Sequence, residues 1–196
     1  MKLKSLILFL ALFGCSENEN SIASSELMHR NFNSDELKKM ELILDFFESS
    51  ICKAKSEDFK DKEKCYYQLY EDLKYTRETG GLIEFNFSNN KKQLLRSQLG
   101  GFFYEIWEYE ESKLDSVPLR RLTVNPDGKY IDFLEDIGIE NNDLYFFTAS
   151  MKKEGTYNTP IIWAMMLEPN LLDFSKVESR VIIAIHYLTI AYWNND

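Results

Sequence analysis

Apolar residues recur at helical spacing along most of the chain. A first stripe follows Asn33, which can cap a helix, and Glu36, which stands three residues later and can complete a capping box. The stripe repeats at intervals of three and four positions and predicts a helix that runs to about Lys53. Its members are Leu37, Met40, Leu44, Phe47 and Ile51.

A second helix is expected after the polar run 53–64 and ends at the pair Gly80-Gly81. Residues 82–87 then alternate apolar and polar side chains, which indicates a strand, and residues 122–124 are its best candidate partner. A third helix opens at Asn89 or Asn90 and keeps the helical period through Trp107. The glycines at 100 and 101 lie inside this span, so either the helix breaks there or a neighbouring backbone packs close.

The segment 125–128, Asn-Pro-Asp-Gly, has two interpretations. It suits a hairpin turn, and it also suits an Asn cap with Pro126 in the first helical position; the apolar spacing downstream favours a helix. Asn142 should cap a further helix that ends near Glu154, and a short helix is expected from Thr159 to Leu167.

The last segment gives the clearest pattern. Ser175 and Glu178 have capping-box spacing, and residues 177–193 are apolar on nearly every face, as in a helix buried at the centre of a helical array. The sequence therefore predicts a mostly α fold: a single helical-array domain over residues 32–196 with about six or seven helices and room for one small β element.

Composition narrows the range of partners. The chain has 23 Lys and Arg against 32 Asp and Glu, a formal charge of −9, and no basic cluster. This balance argues against a nucleic-acid partner and against electrostatic binding to anionic lipid. With 44% hydrophobic residues, the chain can bury one substantial core.

The N-terminus has the pattern of a secretion signal. Lys2 and Lys4 precede an apolar run that ends at Gly14 and is too short for a permanent membrane span, which needs roughly 20 residues. The segment Leu12-Phe13-Gly14-Cys15 resembles the lipobox of bacterial lipoprotein precursors. The resemblance implies a signal peptide over residues 1–14, cleavage after Gly14 and lipid, including palmitate-type acyl chains, on Cys15. Phe13 is bulkier than the residue usual in that pattern.

The acidic tract after Cys15 also resembles the export signals of some surface lipoproteins of the Bacteroidetes. Its polarity is equally that of a solvated tether, which we expect over residues 15–31. The resemblance places the protein in the outer membrane, at the cell surface or on the periplasmic face, with the lipid as its only membrane contact.

Cys52 and Cys65 are the remaining cysteines, and they flank the turn between the first two predicted helices. In an oxidising envelope they can form a disulfide that closes a loop of about fourteen residues, provided that the second helix starts late, near Asp61. The alternative is two buried free thiols.

The two histidines do not indicate a metal site. His29 falls in the expected tether and His186 in the buried final helix, where a core side chain with one hydrogen-bond partner is the usual role. Arg180 lies on the same helix and needs an acidic partner if it is buried. No zinc, calcium or cofactor motif is present, so no metal or cofactor is expected.

Two further features carry candidate chemistry. Glu105 and Glu108 are spaced to share a helical face, as paired carboxylates of a glycoside hydrolase can, although a solvated helix face gives the same pattern. Asp115-Ser116-Val117 resembles the short O-glycosylation motif of Bacteroidetes secreted proteins, which implies a glycan on Ser116.

The sequence lacks the signatures of nucleophilic catalysis and of phosphate binding. The leading hypothesis is therefore a lipid-anchored envelope binding protein without enzymatic activity. It would be an accessory subunit or a protective lipoprotein of the immunity or inhibitor type, with a protein partner in the envelope. The alternative is an envelope glycan-binding protein or hydrolase that uses Glu105 and Glu108.

Overall fold

A computed structural model of the chain describes residues 21–52, 62–80, 85, 87–114, 117–139, 142–154 and 172–193. The described residues form seven α-helices and one two-stranded antiparallel sheet, which confirms the predicted mostly α class with a small β element. The helices are α1 (Glu26–Asn31), α2 (Ser34–Ile51), α3 (Lys62–Thr79), α4 (Asn89–Leu99), α5 (Lys129–Gly138), α6 (Asn142–Glu154) and α7 (Val177–Trp193). The strands are β1 (Trp107–Leu114) and β2 (Val117–Val124).

Helix α2 begins at the predicted capping box. The Asn33 side chain accepts hydrogen bonds from the backbone N–H groups of Asp35 and Glu36, and the Glu36 carboxylate accepts one from the Asn33 backbone N–H. These bonds satisfy donors that the first turn of a helix leaves open. Four of the five stripe residues of α2 are buried, with Met40 and Phe47 fully excluded from solvent, and Ile51 is partly buried.

Helix α7 forms the centre of the core, as its apolar sequence predicts. Side chains from Val181 to Leu188 are buried around its whole circumference. Phe47 of α2 stacks on Tyr187 with ring centroids 5.9 Å apart. The predicted pairing of Ser175 with Glu178 is replaced by other contacts: Ser175 bonds Asp173, and the Glu178 carboxylate accepts a hydrogen bond from the Ser25 hydroxyl.

The third predicted helix breaks at its glycine pair, which is one of the two alternatives that the sequence allowed. Helix α4 ends at Leu99, Gly100 adopts a φ of +55°, and a 3-10 segment follows (Gly100–Glu105). This φ is accessible to glycine and strained for other residues, so the glycine pair breaks the helix. The residues from Trp107 then form a strand rather than the end of a helix.

The β-hairpin differs from the predicted strand pairing. Within the described residues, strand β2 pairs with β1, and the register sets Trp107 opposite Val124 and Glu111 opposite Arg120. Phe85 and Phe87 lie outside any strand, and the other residues of that predicted strand lie outside the described ranges. Trp107 is fully buried and donates from Nε1 to Thr189 Oγ1 at 2.8 Å, which joins the hairpin to α7.

The segment 125–128 is a turn that precedes a helix. Asn125 Oδ1 accepts from the backbone N–H of Asp127, and α5 begins only at Lys129, so Pro126 is not its first residue. Gly128 packs against the 3-10 segment so closely that a Cβ there would lie 2.4 Å from the Glu105 carbonyl oxygen. The predicted helix from Thr159 to Leu167 lies outside the described residues.

The folded body includes residues that the sequence assigned to a tether. Ile22 belongs to a 3-10 segment (Ile22–Ser24), Met28 to α1, and both side chains are buried in the core. Helix α1 packs against α5, where Asn31 Nδ2 donates to Asp136 Oδ2 at 3.0 Å. The predicted tether boundary at residue 31 was therefore wrong, because a few apolar side chains of this otherwise polar segment are buried in the core.

Candidate functional site

The predicted pair of glutamates does not share a helical face. Glu105 ends the 3-10 segment and Glu108 lies in strand β1, because the chain leaves the helical path at Gly100. Glu108 is partly buried near Asp127 and Glu110. Burial, and then the negative charge of these two carboxylates, raises the pKa of Glu108 above its usual value.

A buried ion pair connects α2 to α7. Arg180 Nη1 lies 2.9 Å from Glu48 Oε1, and the two side chains are only 5% and 4% exposed. Glu48 is the acidic partner that a buried Arg180 was predicted to need. The other oxygen of this carboxylate, Glu48 Oε2, lies 2.6 Å from Lys62 Nζ. Glu48 Oε1 also accepts a hydrogen bond from the Tyr66 hydroxyl at 3.3 Å.

Tyr66 is fully enclosed beside this ion pair. Burial, and then the Glu48 charge, raises the pKa of the Tyr66 phenol well above its usual value, so the group stays protonated and donates. The Glu48 carboxylate thus faces two cations, Arg180 in the core and Lys62, and Lys62 also lies 3.6 Å from Asp45 Oδ1, so the two cations are matched by two carboxylates. These contacts join α2, α3 and α7, and a structural role accounts for them.

Cys52 and Cys65 are joined in a disulfide, with Cα atoms 5.2 Å apart. Helix α3 starts at Lys62, late enough to bring Cys65 beside the end of α2, as the bridge requires. The bond therefore fixes the helix pair that contributes Glu48, Lys62 and Tyr66.

The two histidines lie on different helices of the described structure. His29 lies in α1, where its Nε2 is 2.9 Å from the Ala23 carbonyl oxygen. Burial lowers the pKa of His186 to about 3, so its ring is neutral at neutral pH and acts as a core side chain. Within the described residues, no group of three His, Cys, Asp or Glu side chains is arranged to hold a metal ion. None of the described helices is long and apolar enough to cross a membrane.

Large apolar side chains are exposed where α5 leads into α6. Ile139 is 78% exposed, and Tyr145 and Phe146 are 55% and 65% exposed, with their two rings in edge contact at 5.7 Å. Gly138 allows the two helices to meet here, since a Cβ on it would lie 3.0 Å from the Tyr145 Cα. We call Ile139, Tyr145 and Phe146 the apolar corner.

A second surface feature lies on the β-hairpin. The Arg120 guanidinium carbon sits 4.0 Å from the centre of the Tyr109 ring, and that of Arg96 sits 5.2 Å from the same ring. Arg96 also donates to the Tyr109 hydroxyl at 2.8 Å and to the Tyr104 hydroxyl at 3.3 Å. We call Arg96, Tyr104, Tyr109 and Arg120 the arginine–tyrosine surface.

The sequence did not single out either surface. The alternation of β1 (Trp-Glu-Tyr-Glu) was the available signal for the hairpin, but a helical period that extends to Trp107 masked it. The apolar corner lies on helices that the sequence did predict, and the adjacent pair Tyr145-Phe146 cannot place both rings on one buried stripe. Cys15 and Ser116, the predicted lipidation and glycosylation sites, lie outside the described residues.

Comparison with protein-family models, with curated protein sequences and with solved structures finds no significant match for this chain.

Proposed function

We propose that this chain is a lipid-anchored binding protein of the bacterial cell envelope, without enzymatic activity, whose partner is a protein. It would serve as an accessory subunit or as a protective lipoprotein of the immunity or inhibitor type. The observation that carries the proposal is the apolar corner formed by Ile139, Tyr145 and Phe146.

The apolar corner suits a protein interface in both chemistry and energy. Burying an exposed Ile, Tyr or Phe side chain contributes roughly 1.5–3 kcal/mol, and aromatic residues are prominent among interface hot spots. Here all three side chains are more than half exposed. The close approach of Gly138 to the Tyr145 backbone fixes the spacing of the two helices, so the surface is formed before a partner arrives.

The anchor rests on the sequence of the N-terminus. The lipobox-like segment 12–15 supports lipidation of Cys15, and the acidic tract behind it supports an outer-membrane location. Two or more acyl chains give stable attachment where one chain gives only marginal binding. Replacing Cys15→Ser should move the protein from the membrane fraction to the soluble fraction in a still-folded form; a variant that stays with membranes contradicts the anchor.

The binding proposal can be tested by affinity capture of the full-length protein after mild cross-linking in the host. We expect a stoichiometric protein partner that is lost in the double variant Ile139→Ser and Phe146→Ser. Leu94→Ser is the matched control, because Leu94 lies on a different helix, α4, and is similarly exposed, at 59%. Reciprocal capture through the partner must recover the wild type and the control but not the double variant.

Equal recovery of a partner by all three proteins, or recovery of no stoichiometric partner by the wild type, contradicts the proposal. Capture of a second copy of the same chain indicates self-association instead. Size-exclusion chromatography of the purified protein separates that outcome, since only self-association enlarges the particle without another protein.

One observation favours the alternative of an envelope glycan-binding protein or hydrolase. The raised pKa of Glu108 is a property that a general acid needs, and Glu105 lies close in sequence. Purified protein should then release soluble fragments from peptidoglycan or another envelope glycan, or bind it, and the Glu105→Gln, Glu108→Gln variant should not. No response of such substrates to the wild type rules out this alternative.

A further inference from the structure

The arginine–tyrosine surface lies where one face of the hairpin leaves the core. The register places Trp107 opposite Val124, Tyr109 opposite Leu122 and Glu111 opposite Arg120, and these pairs share a face because side chains alternate along a strand. Trp107, Val124 and Leu122 are buried, whereas Arg120 and Glu111 are exposed. Tyr109 therefore forms the border between the core and solvent.

Arg120 stands out from its neighbour Arg121. The Arg121 guanidinium is ion-paired with Glu110, directly across the hairpin, at 2.6 Å. Arg120 faces Glu111 in the same register, yet its guanidinium lies over the Tyr109 ring and forms no ion pair within the described part of the chain. The positive charge of Arg120 is thus held in place by an aromatic ring and is left open to solvent.

Stacking of this kind leaves the N–H donors of the guanidinium available for hydrogen bonds. The ring contacts the face of the group, whereas its five N–H donors lie in the plane and point outward in a fixed fork that matches a carboxylate. Arg96 contacts the same ring and donates a hydrogen bond to the Tyr109 hydroxyl, which helps to fix the ring that carries Arg120.

We infer that Arg120, stacked on Tyr109 beside Arg96, binds a single carboxylate side chain of a protein ligand. The inference deepens the proposed function by naming the chemistry of the partner. A single carboxylate fits better than a polyanion, because the chain as a whole carries a formal charge of −9 and repels densely charged surfaces. The exposed Tyr104 side chain, 53% accessible, offers an adjacent ring for the peptide that carries the carboxylate.

The test uses the full-length, isotope-labelled protein in a non-ionic detergent and follows the Nε–Hε resonance of Arg120 by NMR. The probe is the blocked tripeptide acetyl-Gly-Glu-Gly-amide, and its uncharged counterpart acetyl-Gly-Gln-Gly-amide is the control. We expect saturable shifts of the Arg120 side-chain signal and of the neighbouring backbone amides with the Glu peptide, with a Kd on the order of millimolar. The Gln peptide should cause no saturable shift.

Two variants locate the site. Arg120→Gln should weaken binding of the Glu peptide about tenfold or more, as read from the backbone amides of Tyr104 and Tyr109. Arg121→Gln is the matched control, since it removes an equal charge one residue away that is already paired with Glu110, and it should leave the affinity within about twofold of the wild type. Tyr109→Leu should weaken binding by about three- to tenfold by releasing Arg120 from its ring.

Several outcomes overturn the inference. The inference is wrong if the Gln peptide causes equal shifts, or if Arg120→Gln binds the Glu peptide with the affinity of the wild type. It is also wrong if inorganic phosphate binds more tightly than the Glu peptide. Because the tripeptide needs no cellular partner, this experiment can succeed when the capture experiment fails, and the reverse. The failure of the carboxylate site is thereby distinguishable from failure of the proposed function.

Discussion

The buried ion pair between Glu48 and Arg180 allows a quantitative prediction of stability. Its atoms lie 2.9 Å apart, and both side chains are at least 95% excluded from solvent, so water and salt screen the pair very little. With an effective dielectric constant of about 20, the attraction is about 6 kcal/mol before desolvation is subtracted. Removing one partner leaves the other charge buried and unmatched, which typically destabilises a protein by about 3–5 kcal/mol.

We therefore expect Glu48→Gln to lower the free energy of unfolding by about 3–5 kcal/mol, because the Arg180 cation stays buried without its counter-charge. Combining Glu48→Gln with Arg180→Met should cost clearly less than the sum of the two single changes, since the double variant buries no unmatched charge. Lys62→Met is the control: Lys62 also contacts Glu48, but its side chain is 46% exposed, and its loss should cost at most about 1 kcal/mol.

The measurement is urea unfolding of the oxidised protein followed by far-UV circular dichroism, with the slope of the transition compared between variants. A Glu48→Gln protein within about 1 kcal/mol of the wild type would refute the reasoning. So would a Lys62→Met protein as unstable as Glu48→Gln, because that result would locate the stabilisation at the surface contact rather than at the buried one.

Three further predictions concern stability. Burial lowers the pKa of His186 to about 3 in the folded chain, so below about pH 6.5 the unfolded state binds a proton that the folded state does not. Between pH 7 and pH 5, the free energy of unfolding of the wild type should therefore fall by about 2 kcal/mol more than that of His186→Leu, as measured by urea titration. Equal losses in the two proteins would contradict this prediction. Replacing Cys52 and Cys65 by Ser should lower the free energy of unfolding by about 3 kcal/mol. Reductant should destabilise the wild type by the same amount and leave the variant unchanged. A wild type whose stability does not respond to reductant counts against the bridge. Gly128→Ala should lower the free energy of unfolding by about 1–3 kcal/mol, measured by thermal unfolding, because the added Cβ would overlap a backbone oxygen. Gly101→Ala is the control and should be tolerated, since the space around Gly101 is open. Similar losses of stability in both variants would show that the backbone at Gly128 shifts freely.

The parts of the fold that depend on local pattern were accessible from the sequence. The cap at Asn33 and the all-round apolar helix α7 involve residues within a few positions of one another, and both stand in the structure. The disulfide was likewise predictable, because the two cysteines flank a single turn. These features need only local geometry or composition.

The hairpin was missed because two periodicities compete around Trp107. A buried aromatic at that position fits both the end of a helix and the start of a strand, and only the positive φ at Gly100 decides between them. The identity of the Arg180 partner was also out of reach. Glu48 lies 132 positions away and is one of 32 acidic residues, and nothing local distinguishes it from the others. The surfaces proposed for binding depend on these same long-range arrangements.

The burial of Ile22 and Met28 changes the geometry of attachment to a membrane. If Cys15 carries the lipid as proposed, the link from that residue to the folded body at Ser21 is six residues long and reaches at most about 20 Å at full extension, against about 55 Å for a link to residue 31. With so short a link, the domain stays within a layer beside the membrane that is about as deep as the radius of the domain, and only a narrow range of orientations is accessible to it. A protein that binds it must then come to the same thin layer beside the bilayer, where confinement raises the local concentration of both partners.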